Sequence, residues 1–363
     1  MKEKQENDMD KQFVVGVIGC GRIASNAHLP ALQELDGVRI KYACDLIEEK
    51  CRAAREKFPK IEKITTDYRD ILSDAEVDAV FVLTPNFAHY TVTMDALRAG
   101  KHVMCEKPIT VNYALSCEMA REAERRNLIL DIGVCNRYQR SVEMLEEYYR
   151  AGKFGKLYHV QCSFRSCRSI PGLGGAFTTK SLSGGGVLID WGVHFLDLIL
   201  YVLGGAKLKN VTCDAYSELA KDMKSYRYHS MWAEETSDTE HGVNDVDDFI
   251  TGYVRTDKAG IAFSGAWAQN LNKYEMYVDF LGDKGGARLT YGDKFEFFDG
   301  KTLKTETPDY EIPNMYLCED KAFVRSAQSG VKNRNHISNV LESAKLLDAL
   351  HASAERKEEV SLS

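Results

Sequence analysis

The ten cysteines contain no Cys-x-x-Cys pair and are scattered through apolar patterns rather than grouped with histidines. That arrangement offers neither a disulfide framework nor a zinc site, and it implies reduced core thiols and no metal. Long hydrophobic runs are also missing. A bilayer crossing requires roughly 18 apolar residues, and the best stretch, residues 187–203, is broken by Asp190, His194 and Asp197. Residues 1–11 lack the apolar core of a signal peptide and read as a frayed, solvated tail, so a cytoplasmic location is expected and no membrane partner. Basic blocks are absent: Lys and Arg number 47 against 54 Asp and Glu, a net charge of −7, which argues against a nucleic-acid partner. No internal repeat interrupts the chain. What is present is an ordinary globular composition, 44% hydrophobic and 28% charged, over 363 residues, enough for two domains with sizeable cores.

The first half is a strand–helix alternation. Phe13-Val14-Val15-Gly16-Val17-Ile18 is a β-branched, nearly all-apolar run, as expected of a strand buried on both faces. Gly19-Cys20-Gly21-Arg22-Ile23-Ala24 follows at once and leads into a helical pattern. This is the G-x-G-x-x-A form of the dinucleotide turn, and its context of strand before and helix after strengthens it. Gly19 permits the tight turn, Gly21 lets the backbone approach a pyrophosphate, and Ala24 keeps helix and sheet close. The N–H groups at the helix start, around Arg22 and Ile23, face the phosphates. A second strand, residues 38–44, ends in Asp45, at the spacing where a carboxylate meets the adenosine ribose. Such a carboxylate repels a 2′-phosphate and favours NAD over NADP. Asp45 also suits the cap of the next helix, and both roles are compatible.

The alternation continues through a strand at 79–83 ending in Thr84-Pro85-Asn86, with His89 one turn on, and a strand that delivers Cys105-Glu106-Lys107-Pro108. A lysine presented at a strand's carboxyl end lies where open α/β sheets bind ligands. Read alone, Glu106 and Lys107 also suit a solvated loop pair, and His89 a structural histidine. A helix at 113–126 and a strand at 128–134 complete a doubly wound parallel sheet.

These segments, Gly16-Val17-Ile18-Gly19-Cys20-Gly21-Arg22-Ile23-Ala24, Thr84-Pro85-Asn86 with His89, and Ala99-Gly100-Lys101-His102-Val103 running into Glu106-Lys107-Pro108, resemble the Gfo/Idh/MocA oxidoreductases. The resemblance implies that Thr84, Pro85, Asn86, His89, Glu106 and Lys107 line the nicotinamide side of the cofactor, that Asn136 lies nearby, and that the Lys107–Pro108 bond is cis. It implies a Rossmann domain over 12–134. Residues 135–363 form an α+β substrate and oligomerisation domain with a large, mostly antiparallel open sheet. A last helix, about 337–354, packs back on the Rossmann domain. The open sheet is expected to make a homo-oligomer, a dimer or tetramer; Trp267, Tyr277 and Phe280 suit either its open face or the domain's own core.

In the second half, a polar loop at 170–186 precedes Gly184-Gly185-Gly186 and an apolar helix in which Asp190 and His194 stand four apart, on one face. Read alone, the pair suits a helix-dipole aspartate and a core histidine. The family's second motif, an aspartate and a histidine after a glycine run, implies that both face the substrate. Arg137, Tyr138, Arg165 and Trp191, with Lys107, then suit a polyhydroxy ligand. The expected activity is hydride transfer between a ring carbinol of a sugar, glycoside or cyclitol and NAD, in the manner of a glucoside 3-dehydrogenase. Lys107, His194 and Asp190 are its catalytic residues. His194 is assigned as the base and Lys107 as the donor to the developing oxyanion, although a lysine beside a cationic ring also suits the base. The alternatives are an NAD-dependent glycosidase acting by transient oxidation and elimination, and a non-catalytic NAD-binding regulator.

Overall fold

The computed structural model describes residues 12–230, 233, 236–292 and 294–362; the expected tail at 1–11 lies outside the described residues. The chain forms two compact units. The first comprises residues up to Thr110, Ala114–Cys135 and Asn314–Leu341; the second comprises Val111–Tyr113, Asn136–Pro313 and Glu342–Ser363.

The first unit is built on β1 (Phe13–Ile18), β2 (Val38–Cys44), β3 (Lys63–Thr65), β4 (Ala79–Val82), β5 (His102–Glu106) and β6 (Leu130–Gly133), all parallel, in the order β3-β2-β1-β4-β5-β6. This is the doubly wound order, and the strand sequence reverses direction between β1 and β4. Every residue of β1 and β4 is buried, which is why their sequences read as continuous apolar runs. Phe81 on β4 meets Phe323 edge-to-face at 5.3 Å. Phe323 belongs to the helix Met315–Ser329, the segment that returns to this unit. The Asn314 side chain accepts hydrogen bonds from the Tyr316 and Leu317 amides, at 3.1 and 3.3 Å, and so caps that helix.

The second unit carries β7 (Leu157–Arg165), β8 (Leu208–Tyr216), β9 (Phe249–Thr256), β10 (Gly260–Ala266), β11 (Glu275–Gly282), β12 (Gly285–Thr290), β13 (Lys294–Asp299), β14 (Lys304–Glu306) and β15 (Val360–Ser361). They form one sheet in the order β14-β13-β12-β11-β7-β10-β9-β8-β15, antiparallel except where β10 pairs with β7. Val160, Cys162 and Phe164 of β7 and Val278 and Phe280 of β11 point into the core, where Phe164 stacks on Phe195 at 4.9 Å. Trp267 and Phe280 are fully buried, which puts them in this core rather than on the open face. Tyr277 falls on the opposite face, under the Arg288 guanidinium at 4.3 Å.

The last helix, Leu341–Arg356, also departs from expectation. Leu346, Leu347 and Leu350 lie in the second unit's core, so Met315–Ser329 takes the place expected for it on the parallel-sheet unit. Described residues of the stretch 220–243 are tied to the loop at 170–186. Gly174 and Val243 form a β-bridge, the Asp238 amide donates to the Leu173 carbonyl at 2.9 Å, and a Cβ on Gly174 would sit 1.9 Å from the Asp238 oxygen. The stretch Lys180–Leu203 is long and apolar enough to cross a membrane by length and composition, but 78% of its apolar window is buried inside the protein. All ten cysteines are free and eight are buried; burial pushes the Cys44 thiol up to about 12.

Arg137, expected near substrate, is instead 1% exposed in this core. Its guanidinium makes a two-pronged pair with Asp197, Nε to Oδ2 at 2.8 Å and Nη2 to Oδ1 at 2.6 Å, and Ser343 Oγ donates to the same carboxylate at 2.6 Å. The reason is chemical: Asp197 sits on the core face of an otherwise apolar helix and needs a fully buried partner. Asp197→Ala removes the carboxylate partner of this buried guanidinium and is expected to cost about 3–5 kcal/mol of stability. Urea unfolding of the variant checks this; a loss under about 1 kcal/mol would place the pair among marginal ones.

Candidate active site

In the first unit the glycine turn follows β1 directly. Gly19 has φ +101°, a conformation that side chains rarely adopt, and a Cβ there would lie 2.4 Å from the Leu83 carbonyl oxygen. Above Gly21 there is open space: a Cβ would meet nothing within 4 Å. The Gly19 amide donates to the Cys44 carbonyl at 2.7 Å, and the Cys20 amide donates to Asp45 Oδ2 at 2.9 Å. Asp45 Oδ1 accepts from the Ile47 amide at 3.0 Å. The carboxylate thus ties the end of β2 to the turn and also shapes the start of the helix Glu48–Lys57. Arg22 is exposed and Ile23 half-buried at the head of the next helical segment.

At the end of β4, Thr84 and Asn86 are half-buried and Pro85 is exposed. Thr84 Oγ1 is buried with no hydrogen-bond partner among the described residues. An open glycine cradle, a nearby carboxylate and an orphaned hydroxyl at the β4 end fit a dinucleotide lying across the carboxyl ends of the strands. His89 is placed differently from expectation. It is buried, with Nδ1 2.8 Å from the Pro108 carbonyl and Nε2 2.9 Å from the Thr84 carbonyl, so both ring nitrogens are engaged by backbone and neither is left for a cofactor. Burial alone pushes this imidazole down; the neighbouring Cys105 sulfur and the two carbonyls outweigh it and push it up to about 9.

Lys107 is half-buried at the end of β5, and its bond to Pro108 is cis. Its amide donates to Glu106 Oε2 at 2.9 Å. The other oxygen, Oε1, meets Nε2 of fully buried His28 at 3.1 Å, and His28 Nδ1 meets Asp320 Oδ1 at 2.8 Å. Burial lowers the proton affinity of His28, but the Asp320 and Glu106 carboxylates more than reverse this and hold it well above 6.5.

The second unit presents a helix. Gly184 turns the chain at φ +84°, and Gly186 is obligatory because a Cβ would fall 1.8 Å from the Asp247 carbonyl oxygen. The Asp247 carboxylate accepts from the Gly186 and Leu188 amides at 2.9 and 3.0 Å, satisfying N–H groups that the helix start would otherwise leave open. The first turn, Leu188–Gly192, is a π-helix, a form frequent at functional sites. Between Val187 and Leu203 only Asp190, Trp191, His194 and Tyr201 escape full burial. Asp190 Oδ2 accepts from Nε1 of fully buried Trp267 at 3.3 Å. Asn136 and Tyr138 are buried, with Asn136 Oδ1 accepting from Gln139 at 3.3 Å, while Arg165 at the end of β7 is ion-paired with Glu275.

Three residues that hold these groups escaped sequence reading. His28 lies within a helical pattern, Asp247 looked like the lead into a strand, and Trp267 like a sheet aromatic. The Gly-Gly-Gly run was the one signal for Asp247, since a glycine before a helix asks what approaches it.

A dinucleotide cradle on a parallel sheet, with a second unit offering an aspartate and a histidine on one helix face, defines a two-domain nucleotide-dependent oxidoreductase. Residues 13–134 match the model of an oxidoreductase family with an NAD-binding Rossmann fold, and residues 142–288 match the GFO/IDH/MocA C-terminal domain. The chain belongs to the Gfo/Idh/MocA family. It is similar to D-glucoside 3-dehydrogenase of Escherichia coli K12, 29% identical over 86% of this chain and 87% of that protein. It also resembles myo-inositol 2-dehydrogenase of Thermotoga maritima, 30% identical over 52% of this chain and 54% of that one. A solved levoglucosan dehydrogenase, complexed with NADH and levoglucosan, shares the fold: TM-score 0.82 over 97% of this chain and 99% of that one, at 18% identity.

Gly19→Ala is expected to weaken NAD binding by more than about tenfold, since strain at such φ costs on the order of 1–3 kcal/mol before the clash with Leu83 is added. Fluorescence titration with NADH measures it, and unchanged affinity would show that the turn is not the cofactor cradle.

Proposed function

We propose that the protein is an NAD-dependent dehydrogenase acting on a ring carbinol of a sugar, glycoside or cyclitol, with a C3 hydroxyl of a hexose or glucoside as the favoured target. The observation that carries this reading is the helix from Val187 to Leu203, whose few groups outside the core include Asp190, Trp191 and His194. The similarity to a D-glucoside 3-dehydrogenase over most of both chains supports the choice of substrate class.

Bound NAD supplies the hydride acceptor, with Asp45 at the ribose, the Gly19–Gly21 turn at the pyrophosphate and Thr84 and Asn86 towards the nicotinamide. The chain's own residues handle the proton and the charge. His194 takes the hydroxyl proton as the carbinol C–H bond breaks, a task suited to an imidazole's ordinary titration range near neutrality. Lys107 donates to a substrate oxygen as negative charge develops on it. Asp190, steadied by the Trp267 indole, orients His194 or a neighbouring substrate hydroxyl. Trp191 offers an apolar face to a sugar ring. Tyr138 and Arg165 are secondary candidates for the ring hydroxyls.

A panel of inositols, hexoses and glucosides with NAD, followed by NADH absorbance, tests this. Lys107→Ala and His194→Ala are each expected to lower kcat by about 100-fold or more while NADH affinity changes by less than about threefold. Full activity in both variants would refute the site. Aglycone release without added NAD would instead identify the elimination-type glycosidase.

A further inference from the structure

The segment that presents Lys107 is gripped on both sides by a buried histidine. On one side, the His89 ring lies between two backbone carbonyls, Pro108 at 2.8 Å and Thr84 at 2.9 Å. A carbonyl only accepts, so a proton on each ring nitrogen suits this pair of contacts, and only the imidazolium carries both; the Cys105 sulfur is the ring's third polar neighbour. On the other side, the His28 ring lies between two carboxylates, Asp320 at 2.8 Å and Glu106 at 3.1 Å. Imidazole is the strongest base of these three groups, so the shared protons reside on its nitrogens. Both rings are almost wholly removed from solvent.

The surroundings of each ring fit this assignment. His28 faces Asp320 and Glu319 from the helix Met315–Ser329 and Glu106 from β5, with the Phe81 and Tyr316 rings packed at 5.7 and 5.6 Å. His89 faces the Cys105 thiol from β5 and the two carbonyls. The ligand atoms of His28, Glu319 and Asp320 lie within 4.8 Å of one another, a spacing that a metal ion can use. Both His28 nitrogens already point at carboxylate oxygens, however, so the imidazolium itself takes the place of a cation.

We propose that His28 and His89 are positioning residues that stay doubly protonated at neutral pH and fix the two neighbours of Lys107. His28 acts through the Glu106 carboxylate, which also receives the Lys107 amide; His89 acts through the Pro108 carbonyl and ties it to Thr84 at the end of β4. The role rests on the reading of Lys107 as a catalytic group, while the protonation states do not. The sign of the pH response follows from the raised proton affinity. The clamp is complete below about pH 6.5, where a free imidazole is also protonated, and the His89 contribution is lost as pH rises through about 9.

The test has two arms on the full-length protein. In the first, histidine-selective nitrogen-15 NMR is assigned with His28→Gln and His89→Gln. It is expected to show two protonated ring nitrogens for each residue at pH 7.5, with His89 converting to a single neutral tautomer only near pH 9. A neutral tautomer for either ring at pH 7.5 overturns the proposal, and this arm needs no turnover or folded variant beyond assignment. In the second arm, His89→Gln, which keeps a donor for only one carbonyl, is expected to lower kcat about 10- to 100-fold while NADH affinity stays within about threefold; His89→Ala falls further. Unchanged kcat in His89→Ala overturns the positioning role. Full activity in Lys107→Ala would instead remove the functional reading and leave the NMR result standing.

Discussion

The start of one helix depends on a single carboxylate. Asp247 receives two amides from the first turn, and its own carbonyl lies so close to Gly186 that no other residue fits there. A helix that is apolar almost all round has few ways to fix its rotation, because packing alone leaves several similar solutions. The cap sets where the first turn begins, and the buried Arg137–Asp197 pair sets the core side. With both ends of that constraint in place, Asp190, Trp191 and His194 emerge together on the uncovered edge.

The first unit solves the same problem with charge rather than packing. Its catalytic candidate sits on a strand end, where backbone direction is fixed but the loop beyond is not. Glu106 turns back to receive the Lys107 amide, and buried imidazoles hold the flanking groups. Such groups are expensive to bury singly and tolerable when an oppositely charged or hydrogen-bonding partner is buried with them. This explains why His28, Glu106 and Asp320 occur as a set.

The parallel sheet was legible because its signals are local. Phe13–Ile18 is apolar throughout, Gly19 and Gly21 follow it, and Asp45 arrives at a fixed distance. The motif residues Thr84, Glu106, Lys107, Asp190 and His194 were equally plain. Roles that depend on side-chain direction were not. The family resemblance puts Arg137 near the substrate, but Asp197 lies sixty residues on and pairs with the guanidinium in the core. His89 carries the motif, yet nothing in its spacing says that both nitrogens will meet carbonyls. Trp267 and Tyr277 look alike in sequence, yet Trp267 follows the end of β10 and is fully buried, while Tyr277 on β11 lies under the Arg288 guanidinium. The short strands β14 and β15 left too few residues to register as patterns.

Those two strands have a consequence of their own. They occupy the outer borders of the nine-stranded sheet, and they span only three and two residues. Border strands so abbreviated offer few main-chain groups of their own for a foreign strand to zip onto. Lateral addition at those two strands is thereby discouraged.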